Sequence, residues 1–315
     1  MHKFIKNVLS ISFSVIFITW AINFAYVAFD CTDQDNVKKF KLVPESLLVC
    51  NFGSSHGLYG FDYQNYEKNR CFNFGLSSQT LDYDYRVMQQ YQSSIRKGTI
   101  VYIPISYFSL FGQDEIYDKD FAAKNKRYYY FLEPELIKGY ESDFGMIIRY
   151  CPVLTSPSNV LKLLTGKLGK NENMEIWMRK SHDVDVNKDA IAAYERHVKN
   201  KFDKEGNRII SKEAISALNN MIDLCRSRGG IPILLTVPFL REYTDTIKRN
   251  DKEFMRDFHG VVNKIVEEKN VRYYDYGEDE RFKDKYELFM NSDHLNKDGA
   301  IFFTEILLKE TLITR

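Results

Sequence analysis

Cysteine is scarce in this 315-residue chain: five residues, an odd number, with no pair at zinc-ligand spacing. That argues against a zinc ribbon or finger and against a disulfide framework. Cys31, Cys50, Cys71, Cys151 and Cys225 read as buried free thiols, with Cys50 and Cys71 on neighbouring strands. An excess of one charge is also missing. With 44 basic and 43 acidic residues and a net charge of +1, nothing favours nucleic acid as a partner. The six histidines are scattered and define no metal site, and no cofactor is implied. There is no internal repeat and no low-complexity tract. The pairs Asp82/Asp84 and Asp183/Asp185 lack the rest of a calcium loop and read as solvated charged faces. Aromatic residues, by contrast, are plentiful, with 21 Tyr and 23 Phe; they fill a core or line a carbohydrate or lipid cleft.

The one long apolar run, Val8–Phe29, is interrupted by Ser10, Ser12, Ser14, Thr19 and Asn23. At ~1.5 Å per residue it reaches about 33 Å, enough to cross a bilayer. A secretory h-region is shorter, at ~7–15 residues, and no A-x-A cleavage site follows. Asp30 precedes Cys31, so the lipoprotein pattern fails as well. Lys3 and Lys6 before the run, and Asp30, Asp33 and Asp35 after it, favour a cytoplasmic N-terminus. Residues 1–29 are therefore expected to be a transmembrane signal anchor and 30–45 a polar stalk. Residues 46–315 then form the extracytoplasmic domain.

Within that domain strands and helices alternate. Strands are expected at 46–51, 71–75, 99–105, 231–237 and 271–274; helices are expected at 81–96, 211–228, 251–269 and 297–312. Thr99–Ile105 is rich in β-branched residues, and Ser211 is a candidate cap for the helix that Gly229-Gly230 ends. Alternation of this kind predicts an α/β fold with a parallel sheet between helical layers, a three-layer sandwich. Residues 107–211 break the rhythm and are expected to be an inserted, mainly helical cap. Within it, 162–170 and 182–188 read as exposed connections.

Two blocks carry the chemistry. The first is Leu47-Leu48-Val49-Cys50-Asn51-Phe52-Gly53-Ser54-Ser55-His56-Gly57, a buried strand closed by a small-residue turn. The second is Asn291-Ser292-Asp293-His294-Leu295-Asn296, ahead of the last helix. A serine at the carboxyl end of a parallel strand faces the cleft where such sheets bind ligands. It becomes a nucleophile if a base such as His294 meets it in space.

Gly53-Ser54-Ser55, joined to a late His294 and a Gly299 helix start, resembles the SGNH/GDSL hydrolase superfamily. Its membrane-anchored branch includes teichoic-acid D-alanyl transfer proteins and polysaccharide O-acetyl esterases and transferases. The resemblance implies Ser55 as nucleophile and His294 as general base. The superfamily usually carries Asp three residues before the histidine; that position is Asn291 here, with Asp293 directly beside His294. Either one could orient the imidazole. Oxyanion donors implied by the resemblance are the backbone N–H groups of Ser55 and Gly75. The usual block-three asparagine is absent, leaving Ser106, Ser78 or Asn73 to replace it. His56 is either a substrate contact or a structural histidine.

The function implied is a membrane-anchored esterase or acyltransferase acting on acylated polysaccharide or cell-envelope glycan. The alternative is a catalytically silent scaffold that binds glycan or a membrane acyltransferase. The anchor reading predicts that protease added outside intact cells digests the chain beyond about residue 30. Complete protection would reverse the orientation.

Overall fold

The computed structural model describes residues 1–28, 37–114, 125–140, 145–155, 160–161, 164–166, 177–199 and 201–313. They fall into two compact units. One joins Met1–Lys41 to Ile116–Glu172; the other joins Leu42–Glu115 to Asn173–Arg315. In chain order the elements are α1 (His2–Ala28), β1 (Val49–Asn51), α2 (Ser55–Gly60), β2 (Cys71–Asn73), α3 (Leu81–Tyr91), β3 (Ile100–Pro104) and α4 (Gly145–Tyr150). They continue as α5 (Val186–His197), α6 (Lys212–Ser227), β4 (Ile231–Thr236), α7 (Arg241–Asn250), α8 (Phe254–Lys269), β5 (Arg272–Asp275) and α9 (Lys297–Ile313).

The second unit is an α/β domain. Its five strands are all parallel, in the order β2-β1-β3-β4-β5. The interior strands β1 and β3 are buried at every residue, as a parallel sheet covered on both faces requires. The edge strands β2 and β5 are only partly buried. The chain runs outward from β1 to β2 and then returns to the other side of β1 at β3. Such a reversal opens a crevice beyond the carboxyl ends of β1 and β3, where open α/β sheets bind ligands. The turn Gly53-Ser54-Ser55 lies there.

The expected strands and helices of this unit are present, with ends shifted by a few residues. Ser211 does cap α6, its hydroxyl accepting the Ala214 N–H at 3.0 Å. Helices α2 and α7 lie where no helix had been expected; α5 lies within the segment expected to be a mainly helical cap, its first turn and its approach occupying the connection read at 182–188. Cys50, Cys71 and Cys225 are buried free thiols, and Cys151 is a half-buried one. Cys31 and residues 29–36 lie outside the described residues, as does most of 162–170.

In the first unit α1 is long and apolar enough to cross a membrane over His2–Val27. Residues 37–42, within the segment read as a polar stalk, form a 3-10 helix with Val37 and Phe40 buried. The Phe40 ring stacks on Phe131 at 3.8 Å, so this stretch packs within the first unit.

Glycine is required where α2 meets the end of β1. A Cβ on Gly57 would lie 2.1 Å from the Phe52 carbonyl oxygen, a backbone atom that cannot yield. Gly260, on the exposed side of α8, has nothing within 4 Å of its Cβ position. Gly57→Ala should therefore destabilise the protein by about 1–3 kcal/mol or more. Gly260→Ala should stabilise it by roughly 0.5–1 kcal/mol. Thermal melts separate the two, since about 1 kcal/mol moves Tm by ~2–4 °C in a domain of this size.

Candidate active site

Ser55 opens α2, directly after β1. Its Oγ is 2.8 Å from His294 Nε2, although 239 residues separate the two in sequence. His294 Nδ1 is 2.8 Å from Asp293 Oδ1 and 3.2 Å from Asn291 Oδ1. The structure thus brings all four residues together, and the nearer partner of the imidazole is Asp293.

Side chains of adjacent residues diverge in an extended segment. Here the segment is not extended. Asn291 Oδ1 accepts the backbone N–H of His294 at 2.9 Å and that of Asp293 at 3.3 Å, folding the chain into an Asx turn. That turn brings the Asp293 carboxylate against the ring of its neighbour. Asn291 therefore shapes the loop, and the charged partner of the imidazole is Asp293.

Asp293 is fully buried, and both its oxygens are engaged. Oδ2 faces His56 Nε2 at 3.4 Å and His197 Nδ1 at 3.5 Å. Burial alone would raise this carboxyl, but the field and hydrogen bonds of His294 and His56 outweigh it and hold Asp293 well below the usual carboxylate range. Burial pushes His56 below its ordinary value and His197 down to about 3, so both rings are neutral at pH 7. A neutral His56 facing a carboxylate carries its proton on Nε2. Its Nδ1 then accepts from Ser106 Oγ at 2.6 Å. His197 stacks on Phe108 at 4.1 Å and lies 3.3 Å from the Tyr243 hydroxyl.

The remaining predicted residues fare differently. His56 is 2 % exposed with both ring nitrogens occupied, so it supports Asp293 and is not a substrate contact. Ser106 is committed to His56. The Asn73 amide donates to the carbonyls of Gly57, Leu58 and Phe61, and its oxygen accepts from Asn51 Nδ2 and from Gly75 N–H. Asn73 and Gly75 thus tie β2 to α2, and their donors are engaged. Ser78 is exposed in left-handed backbone at φ 54° and bonds to none of the others. Among the described residues no acceptor takes the Ser55 N–H, which leaves it available to an oxyanion.

Three participants, Asp189, His197 and Tyr243, had no signal in the sequence read as a string, and a fourth, Asp84, had been read differently. Ser292 is clamped to Asp189 Oδ2 through its backbone N–H (2.9 Å) and its hydroxyl (2.5 Å). Asp189 and His197 both lie on α5, while Tyr243 comes from α7. Asp84, read as solvated, is 1 % exposed. Its Oδ1 accepts the Gly53 N–H at 2.8 Å and Gln79 Nε2 at 2.6 Å. Burial pushes Asp84 up to about 7 despite those two bonds.

His56, Asp293 and His294 also place metal-ligand atoms within 4.8 Å of one another. Those same atoms form the hydrogen-bonded chain just described. A ring nitrogen that donates its proton to Asp293 has no lone pair left for an ion. The geometry therefore fits acid–base chemistry better than metal binding. No protein-family model matches this chain, and no curated protein matches it.

If the Ser55–His294 pair turns over a small acetyl ester, Asp293→Ala should abolish that turnover. The handicap of a mis-oriented triad histidine reaches ~10⁴-fold in kcat in serine proteases. Asn291→Asp, which keeps the turn-forming oxygen, should stay near wild type, with Asn291→Ala in between. Steady-state kinetics on the three variants, checked for folding by circular dichroism, give the order.

Proposed function

We propose that the chain is a membrane-anchored, extracytoplasmic serine esterase or acyltransferase of the SGNH/GDSL type. It acts on O-acyl groups of cell-envelope or exported polysaccharide. One observation carries the reading: Ser55 Oγ at 2.8 Å from a histidine whose other nitrogen is held by a buried carboxylate. Support also comes from the fold. The nucleophile turn follows the first strand of a parallel sheet and the base precedes the last helix, an order suited to a three-layer sandwich of that type.

With Asp293 accepting from Nδ1–H, the Nε2 lone pair of His294 points at the Ser55 hydroxyl. Ser55 Oγ attacks the acyl carbonyl carbon as its proton passes to Nε2. The tetrahedral oxyanion takes a hydrogen bond from the Ser55 N–H. Collapse breaks the bond from the acyl carbon to the sugar oxygen, which receives the proton from Nε2. The acyl-serine is then transferred to water or to another hydroxyl by the same steps in reverse. Hydrolase and transferase share this intermediate. Helix α1 as a signal anchor, with Lys3 and Lys6 inside, would hold the site near surface glycan.

A second reading is favoured by the donors. Asn73 and Gly75, which could have completed an oxyanion hole, are engaged in binding β2 to α2. A chain of this shape that lacks those donors would be a silent scaffold for glycan or for a membrane acyltransferase. A serine-directed fluorophosphonate decides between them. The enzyme labels at Ser55, and the label disappears in Ser55→Ala. Absence of both label and ester turnover in the wild type leaves the scaffold.

A further inference from the structure

In the first unit, the last turns of α1 are not bare. Ile22 and Tyr26 pack with Val153 and Val160. The Asn23 amide donates to the Tyr150 carbonyl at 3.1 Å, and its oxygen accepts the Val153 N–H at 3.4 Å. An amide inside a membrane span is costly unless it finds partners, and here both its ends are matched. Residues 150–153 are thereby fixed at the depth of residues 22–26 of α1.

Helix α4, which leads into this contact, has an unusual pattern. Its inward positions, Gly145 and Ile148, are buried. Its outward positions are Met146, Ile147 and Tyr150, with exposures of 65, 42 and 66 %. Leu154, Leu161 and Leu164 extend the exposed apolar set, at 59, 64 and 75 %. A helix apolar on its outer as well as its inner face belongs in a protein core or in lipid. The charge within α4 is partnered: Arg149 Nη1 donates to the Leu132 carbonyl at 2.7 Å, Nη2 lies 3.9 Å from Glu133 Oε2, and the guanidinium sits 6.0 Å from the centre of the Tyr150 ring.

We infer that residues 145–155 are a membrane-seated segment, with Met146, Ile147, Tyr150 and Leu154 inserted at the boundary between headgroups and acyl chains. The inference rests on α1 being a membrane span, as proposed above. The occupant is the bilayer because the segment is continuous with that span. The apolar run of α1 begins at Val8, after Lys3 and Lys6, and at ~1.5 Å per residue a hydrocarbon core of ~30 Å takes roughly 20 residues of it. Residues 22–26 then lie in the outermost ~9 Å of the core, beside the boundary where an interfacial helix rests and where tyrosine is a favoured anchor.

The test uses the full chain in phospholipid membranes, with the photoreactive residue p-benzoyl-phenylalanine placed singly at five positions. Phe13 reports the span, and Met146, Tyr150 and Leu154 report the segment. Glu135, an exposed polar position of the same unit, is the control. Lipid adducts at Phe13 and at the three segment positions, with none at Glu135, are expected. Adducts at Phe13 alone overturn the inference and leave the span standing; cross-links from the segment to protein would then assign this face to a protein partner. No lipid adduct at Phe13 overturns the span and the inference together. Equal adducts at Glu135 overturn the claim that the segment is selectively seated in lipid.

Discussion

The Asp293 carboxylate, shut off from solvent, is the group on which the candidate site rests. Burying a carboxylate costs several kcal/mol unless hydrogen bonds replace its water. Here one oxygen takes the Nδ1–H of His294, and the other faces His56 and His197. The proton positions follow from that arrangement. Asp293 can only accept, so His294 must carry its proton on Nδ1 and offer the Nε2 lone pair to Ser55. By the same reasoning His56 carries its proton on Nε2 and takes one from Ser106. A chain of fixed donors thus runs from Ser106 through His56 to Asp293, and the Ser55–His294 pair stands at its far side.

A carboxylate can play that part only if its loop cannot relax. The segment 289–296 is held from several sides. Phe289 pairs with Leu295 in an antiparallel bridge, and Met290 N–H donates to the His294 carbonyl at 3.0 Å. Ser292 is clamped by Asp189, and its carbonyl accepts the Leu240 N–H at 3.1 Å. The Ser181 N–H donates to the Phe289 carbonyl at 2.7 Å. Residues 181–197 therefore form a wall of the site, supplying both the clamp and one of the histidines around Asp293.

Much of this was legible in the sequence. Apolar runs ended by Gly or Pro mark buried parallel strands because an interior strand has no polar face to show. The order of such runs places Ser55 and His294 at one edge of the sheet. The orienting acid was harder to read, since adjacency argues against Asp293 only while the backbone is extended, and Asn291 removes that condition. The two readings of His56 are separated by α2, which starts at Ser55: a helix turns successive side chains about 100° apart, one into the cleft and the next inward. Asp84 did leave a signal. Leu81, Asp84, Val87 and Met88 share one helical face, and an acid on an apolar face is buried. For His197 and Asp189 there was none, since their spacing on α5 is meaningful only once α5 is packed against α7.

Two buried carboxylates flank the Ser55 turn, and burial treats them in opposite ways. Asp293 has imidazoles on both oxygens, and their pull exceeds the cost of removing its charge from water. Asp84 has two neutral donors on a single oxygen, from Gly53 and Gln79, and there burial wins, moving it to about 7. The first sets the proton of the base. The second holds the backbone N–H of Gly53, a residue at φ 112° whose bend carries Ser54 and Ser55 out of β1. A serine hydroxyl within hydrogen-bond reach of a base needs both its own backbone and the base to be fixed, because an error of about 1 Å in either can cost ~10²-fold in rate. Asp84 and Asp293 fix one each, from opposite ends of the sequence.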